Sequence, residues 1–270
     1  MKNLYTFSYP WLKTKDTHPI TCCICSGRNP QKPQSRFIVN NKVFTIMRCQ
    51  VDKLMYLSPQ PGEKYCEILY NHPTYFQGID DMYGLLINDE KTTAIASIRL
   101  KEIRQYAPQA TSLLEIGCAR GHLLQEALHQ GFSVVKGIEF SKEAVRVCRD
   151  KKLDVKYENI NKLIVGKNFK QYDIVAAYSI LEHLNNPFGF LKMIKKFIKP
   201  AGLLIIRVPE TSPVKSPNLS LLDHFWHFTR TSAKRILNKT GFKIKDIYAS
   251  GVFHGIQHKS EVKNITIIAA

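Results

Sequence analysis

One short segment constrains the fold of this chain more than any other: Leu113-Leu114-Glu115-Ile116-Gly117-Cys118-Ala119-Arg120-Gly121. An apolar run leads through a loop of small residues into a helical pattern that starts at residue 121. Small residues in such a loop let the backbone approach a ligand closely, and the helix start behind it presents amides with no intrahelical acceptor. The same alternation recurs downstream. Strand-like apolar runs lie at 113–116, 134–138, 174–178, 203–208, 242–248 and 265–268, with helical patterns over 91–106, 121–130, 142–151, 187–198 and 231–240. Strands alternating with helices predict βαβ units and a parallel sheet covered on both faces. Before residue 76 the texture differs, with Pro, aromatic residues and short β-like runs at 36–39 and 43–46. Asn40-Asn41 between those runs suits a hairpin turn, because Asn tolerates positive φ. The 270 residues therefore divide into a small module, 1–75, and an α/β domain, 76–270.

The glycine loop does not supply the G-x-G-x-x-G of a dinucleotide fingerprint. Glu139 closes the second strand-like run, where a carboxylate can grip a ribose diol. At these residues the chain resembles the class I S-adenosylmethionine-dependent methyltransferases. Their motif [D/E]-x-G-x-G-x-G is matched by Glu115, Gly117 and Gly121, with Ala119 in place of the middle glycine. The resemblance continues in order. Glu139 matches the acid of the second strand, and Asn159 in Glu158-Asn159-Ile160 stands where the family has an Asp beside the adenine. Tyr172-Asp173-Ile174-Val175 opens a fourth strand, and the segment Ser179-Ile180-Leu181-Glu182-His183-Leu184-Asn185-Asn186-Pro187 matches L-E-H-x-x-[DN]-P. Lys199-Pro200-Ala201-Gly202 and Thr240-Gly241-Phe242 precede the next two strands. The resemblance implies a Rossmann-like, doubly wound, seven-stranded sheet. It also implies S-adenosylmethionine as cofactor, held by Glu115, Gly117, Ala119, Gly121, Glu139, Asn159 and Ser179. His183 is either a catalytic residue or a feature of loop geometry.

Cys22 and Cys25 form a C-x-x-C pair, and Cys49-Gln50-Val51-Asp52 has the spacing of a second knuckle with Asp in the fourth position. Two such knuckles close a tetrahedral structural zinc site when all four residues ligate, and Asp is a competent ligand. This segment resembles the small zinc-ribbon-like domain that precedes certain bacterial methyltransferases, many of which act on sugars. Three alternatives stand: zinc on Cys22, Cys25, Cys49 and Asp52; Cys23 or Cys66 as a substitute ligand; or a relic without metal. An odd count of seven cysteines, four of them within the first 49 residues, does not make a secreted disulfide framework. No run reaches the roughly 18 apolar residues of a membrane helix. The N-terminus also lacks the apolar core and cleavage site of a signal peptide, so a soluble cytoplasmic protein is expected.

Methyl transfer from a sulfonium is an in-line displacement, so the protein must align, desolvate and, where needed, supply a base. In the resembling sugar methyltransferases an acid–His pair lies past the fifth strand. Asp223-His224 matches it and implies His224 as general base oriented by Asp223. The other reading has His224 and His227 packing with Trp226 to close the pocket. Tyr75 and Tyr83 are weaker pocket-lining candidates.

The formal net charge of +17 is unevenly placed: +6 in residues 1–75, zero in 76–160 and +11 in 161–270. The excess therefore bears on the acceptor. Arg207, Lys215, Arg230, Lys234 and Arg235 are candidates for holding an anionic small molecule, such as a nucleotide sugar or a phosphorylated or glycan acceptor. Lys192, Lys195, Lys196 and Lys199 read as a solvated face. A nucleic-acid methyltransferase ranks lower, because no [N/D]-P-P-[Y/F] follows the fourth strand. A non-enzymatic binding protein is opposed by the retained Gly117, Gly121 and Glu139, while Ala119 and Asp52 show some drift. The chain's end after the seventh strand tilts the expectation toward O-methylation of a sugar or nucleotide-sugar hydroxyl.

Overall fold

The computed structural model describes residues 6–7, 14–72, 89–162, 170–211, 224–250 and 264–270. Tyr75, Tyr83, Lys215 and Asp223 lie outside these residues. In the N-terminal part the elements are β1 (Thr6–Phe7), β2 (Thr17–His18), β3 (Gln31–Val39), β4 (Lys42–Cys49), β5 (Met55–Ser58), β6 (Gln60–Pro61) and α1 (Glu63–Tyr70). The β3–β4 hairpin turns on Asn40 and Asn41 at φ 46° and 63°, the left-handed pair whose twist matches the flanking strands. Phe37 and Phe44 face each other across it, their rings stacked at 5.8 Å.

The second part carries α2 (Asp89–Tyr106), β7 (Ser112–Ile116), α3 (His122–His129), β8 (Val134–Glu139), α4 (Lys142–Asp150), β9 (Val155–Tyr157), β10 (Tyr172–Tyr178), α5 (Pro187–Ile194), β11 (Ile198–Pro209), β12 (Trp226–His227), α6 (Arg230–Lys239), β13 (Ile244–Ser250) and β14 (Asn264–Ala269). Seven of these strands form one sheet in the order β13-β14-β11-β10-β7-β8-β9. β14 is antiparallel to both neighbours, while the pairs from β11 to β9 are parallel. Alternate residues of each central strand feed opposite faces. Leu114, Ile116, Val175, Ala177 and Leu204 join Leu191 and Ile194 of α5 and Ile236 and Leu237 of α6. Leu113, Ile174, Ala176 and Ile205 join Leu100 and Ile103 of α2 and Leu123 of α3. Helices on both faces explain why these strands read as continuous apolar runs rather than alternating ones. Each fully buried Leu or Ile contributes roughly 1.5–3 kcal/mol.

The expected seven-stranded, doubly wound sheet is what forms, with local differences. The pattern over 187–198 ends as α5 at Ile194, followed by a 3-10 turn at Lys195–Phe197 and the start of β11. β9 has only three residues, too few for a periodicity to register. The N-terminal sheet draws its fifth strand from far along the chain, with β12 antiparallel to β5 and Trp226 opposite Tyr56. Phe37, Ile46, Leu57, Phe225 and Phe228 accordingly belong to the same apolar cluster as the α5–α6 face.

Candidate active site

The glycine loop turns where β7 ends. Gly117, Ala119 and Gly121 all have positive φ, at 71°, 46° and 78°. The amides of Gly117 and Cys118 donate to the Ile138 carbonyl at 2.8 and 3.3 Å, which fastens the loop to β8. A Cβ on Gly117 would stand 2.0 Å from Ile180 Cδ1, and one on Gly121 would stand 2.4 Å from Leu153 Cδ1. The positive φ favours glycine at both positions, and an added Cβ would also have to push a neighbouring side-chain end aside. Ala119 adopts the left-handed region in spite of its Cβ, the more costly form of the departure seen in sequence.

Glu139 holds this loop from the next strand. Its Oε2 accepts the Ala119 amide at 2.9 Å, and its Oε1 accepts the amides of Phe140 and Ser141 at 2.7 and 2.8 Å. Burial raises its pKa and the three amide donors oppose the rise. A ribose diol would thus meet a carboxylate already anchored to the loop. Glu115 lies beneath, 3% exposed; burial pushes its pKa up to about 7, with Arg99 opposing and Glu139 adding to the rise. Ser179 follows β10 at φ 55° and donates its amide to the Arg207 carbonyl at 2.8 Å. The Asn159 side-chain oxygen accepts the Asn161 amide at 3.0 Å.

Two hydrogen bonds link distant segments of the chain. The Phe225 amide donates to the Glu182 carbonyl at 2.7 Å, and Trp226 Nε1 donates to the Leu184 carbonyl at 2.6 Å. These bonds bring His224 against His183, with ring centroids 4.6 Å apart and planes at 79°. His183 Nε2 lies 4.0 Å from Glu182 Oε1. Tyr70 of α1 approaches the same imidazole edge-on at 6.2 Å and also faces Phe140 at 6.3 Å. The structure thus brings together His183 and His224, which sequence reasoning treated separately. Glu182 and Tyr70 were missed as site residues. Glu182 stood within the matched L-E-H segment, whereas nothing local signals Tyr70. Trp226 and His227 are buried in β12.

The N-terminal cysteines also converge. Ligand atoms of Cys22, Cys25, Cys49 and Asp52 all lie within 4.8 Å of one another, and all four residues are buried. Cys25 Sγ is 3.9 Å from Cys49 Sγ, and Cys49 Sγ is 3.2 Å from Asp52 Oδ2. Burial opposes ionisation of Asp52, but hydrogen bonds from Cys49, Asn29 and Arg235 leave its pKa below the usual range. Burial pushes the Cys22 thiol well up. Three thiols and a carboxylate at this spacing fit zinc; Cys23 and Cys66 are outside the group.

Two of the basic residues expected to meet an anion are committed internally. Arg207 is buried, 3.2 Å from Glu102, with its Nε on Thr266 at 3.0 Å. Arg235 donates to Asp52 and to the Val51 carbonyl at 3.2 and 2.7 Å, because α6 packs against the cysteine cluster. Lys199, read as part of a solvated face, pairs with Asp173 at 2.8 Å. Lys234 is exposed.

A sheet of this order, with a glycine loop after its first strand and an acid closing the second, is the class I S-adenosylmethionine-dependent methyltransferase architecture. The chain belongs to the methyltransferase-domain family, whose sequence profile residues 89–247 match. It is similar to the ubiquinone biosynthesis O-methyltransferase of Coxiella burnetii (strain Dugway 5J108-111), 30% identical over 115 residues, covering 41% of this chain and 49% of that protein. The enzyme of the same name from Bordetella avium is 27% identical over 127 residues, 44% of this chain and 52% of that protein. The chain spans about half the length of these curated relatives. Among solved structures, the Burkholderia thailandensis 1,6-didemethyltoxoflavin-N1-methyltransferase superposes with TM-score 0.59 at 15% identity, over 88% of this chain and 98% of its own. A SAM-dependent methyltransferase from Archaeoglobus fulgidus gives 0.56 at 18% identity, over 72% and 99%. Those two likenesses are of fold. No helix among the described residues is long and apolar enough to cross a membrane.

Proposed function

We propose that this protein is a cytoplasmic enzyme that transfers the methyl group of S-adenosylmethionine to a hydroxyl of a small molecule. The acceptor proposed is a sugar or nucleotide sugar. The observation that carries the reading is the joining of two half-sites. Glu139 clasps the glycine loop through Ala119, and Ile180, which packs on Gly117, leads within three residues to the His183–His224 pair. The loop amides and Glu139 would hold the cofactor. In this reading the two histidines take the proton of the acceptor hydroxyl, with Asp223 adjacent in sequence to His224. The sulfonium supplies an activated methyl group, so the chain's own task is to align the acceptor oxygen with it and exclude water. The O-methyltransferase names of the curated relatives support an oxygen acceptor.

A structural zinc ion on Cys22, Cys25, Cys49 and Asp52 belongs to the same proposal. It would tie the knuckle before β3 to the turn after β4, and through Arg235 to α6. It takes no part in the methyl transfer. Of the five basic residues singled out in the sequence, exposed Lys234 and half-buried Arg230, the latter 3.9 Å from Glu210, are the described ones not committed to the interior and would meet an anionic acceptor.

Calorimetric titration with S-adenosylmethionine tests the cofactor claim, and absence of binding at millimolar ligand refutes it. Release of S-adenosylhomocysteine in the presence of nucleotide sugars, phenols or short RNAs then ranks acceptors. Turnover of RNA alone, with steep salt dependence, would replace the small-molecule reading by the nucleic-acid one.

A further inference from the structure

We propose that the protein carries a second binding surface, a lysine face that takes the phosphodiester backbone of a nucleic acid without regard to base sequence. Its origin is the uneven charge of the chain. Residues 184–209 and 224–245 hold eleven Lys and Arg and no Asp or Glu. They include α5 and α6, which cover the same face of the sheet and bury Leu191, Ile194, Ile236 and Leu237 against it. Lys192, Lys195, Lys196, Lys239 and Lys243 are left exposed.

Contacts between segments gather these charges. Lys195 donates to the Gly241 carbonyl and stands 5.0 Å from the centroid of the Phe242 ring, which joins the turn after α5 to the turn after α6. Lys239 donates to the Ile24 carbonyl at 3.1 Å, and Arg235 donates to the Val51 carbonyl at 2.7 Å. Those carbonyls belong to the two cysteine knuckles, which add exposed Arg28 and Lys53. The two basic stretches of the chain, 1–75 and 161–270, thus meet on one side of the fold. Like charges brought together repel, and an anionic partner relieves that cost. Lys196 and Lys243 stand just before β11 and β13, whereas His183 follows β10. Because β10 and β11 are parallel, the lysine face and the histidines lie at opposite ends of the sheet, and the bound strand is not the methyl acceptor.

The surroundings of the lysines select the partner. Among the described residues, the exposed large apolar side chains are Val43, Val51, Ile98 and Leu128, and of these only Val51 borders the face. A protein partner needs an apolar or aromatic centre to its interface. A membrane surface needs an apolar or lipid anchor beside the basic patch for stable docking. A nucleic-acid backbone needs neither, because cations on its phosphates supply the affinity by releasing counterions. Lysine presents a compact charge on a flexible stem and so follows a phosphate chain of irregular path. The face offers no exposed aromatic ring for stacking on bases, which makes the binding indifferent to sequence.

The test is fluorescence anisotropy of the full chain with short labelled RNA and DNA strands, each in two unlike base sequences, and with vesicles of phosphatidylglycerol as a separate arm. Six phosphate contacts on a single strand predict an affinity that falls about 300-fold between roughly 50 and 200 mM salt. Lys196→Glu/Lys243→Glu should weaken binding by about tenfold or more and make the salt slope shallower by about 2. Lys196→Gln/Lys243→Gln should change both in the same direction and by less. Lys101→Glu/Lys156→Glu alters net charge equally at two exposed lysines of the neutral stretch and should bind like the parent. Thermal unfolding of each variant checks that it is folded. No binding of either nucleic acid at the lower salt overturns the proposal, as does an equal loss in the two Glu pairs. Vesicle binding without nucleic-acid binding replaces the partner by a membrane. A tenfold or larger preference for one base sequence overturns the backbone reading.

Discussion

Two glycines with nearly the same backbone conformation allow the space around the cofactor loop to be measured apart from its conformation. Gly121 and Gly131 lie at φ 78° and 84°, so replacing either by Ala forces a left-handed alanine at roughly 1–2 kcal/mol. Around Gly131 a new Cβ meets nothing within 4 Å, so that cost is the whole expected effect. At Gly121 the Cβ would stand 2.4 Å from Leu153 Cδ1 and 3.0 Å from Cys148 Sγ, inside the small cluster beneath the loop. Overpacking of this sort costs a further ~1–3 kcal/mol. Gly121→Ala is therefore expected to destabilise by about 2–5 kcal/mol and Gly131→Ala by about 1–2. A cycle with Leu153→Ala isolates the contact. That change alone costs roughly 2–5 kcal/mol as a cavity, but in the Gly121→Ala background the new methyl occupies part of the space. The two changes should then be less than additive by about 1–3 kcal/mol. Urea unfolding of the four proteins provides the numbers, with unchanged m values as the check that one transition is compared. Equal losses for the two glycine variants, or strict additivity of Gly121→Ala with Leu153→Ala, refute the packing account of the loop.

Glu115 should make stability depend on pH in an identifiable way. Its pKa in the fold is raised from 4.5 to about 7, so ionisation is disfavoured in the fold and stability falls as pH rises through that window, by about 3 kcal/mol. Glu115→Gln removes this slope and gains on the parent from pH 5 to 8; parallel pH profiles from thermal unfolding would refute it. Arg207→Ala strands Glu102, which is 12% exposed on its side chain, and should cost roughly 3–5 kcal/mol of stability. A variant that instead keeps its melting temperature and loses acceptor affinity would restore Arg207 to anion binding. Cys49→Ser should lower zinc, by atomic emission, from one per chain toward zero and loosen α6, which Arg235 ties to the cluster. Zinc well below one per chain in the parent would count against the site.

The sheet was legible in sequence because its central strands are buried on both faces and its helices are amphipathic. Ser112–Ile116 is buried throughout, so the residues at 113–116 read as a strand without tertiary information. The Asn40-Asn41 turn was legible for a similar reason, since few residues enter the left-handed region cheaply. What escaped was short or cooperative. β9 and β12 hold three and two residues, and β12 exists only because β5 offers it an edge. The basic residues misled because a charge count ignores partners: Arg207 and Arg235 spend their charge on Glu102 and Asp52.

By itself the sequence determined the alternation of strands and helices, the glycine loop with its acid, and the two cysteine knuckles. Each is local in the chain, set by a period, a spacing or a conformation that few residues allow. Tertiary structure alone decided which distant groups meet. It placed His224 on His183 and Glu182, Tyr70 on His183, and Arg235 on Asp52. Those meetings depend on backbone hydrogen bonds and burial between segments tens to hundreds of positions apart. No periodicity in the chain records them, because the energy that holds them appears only once both surfaces have formed.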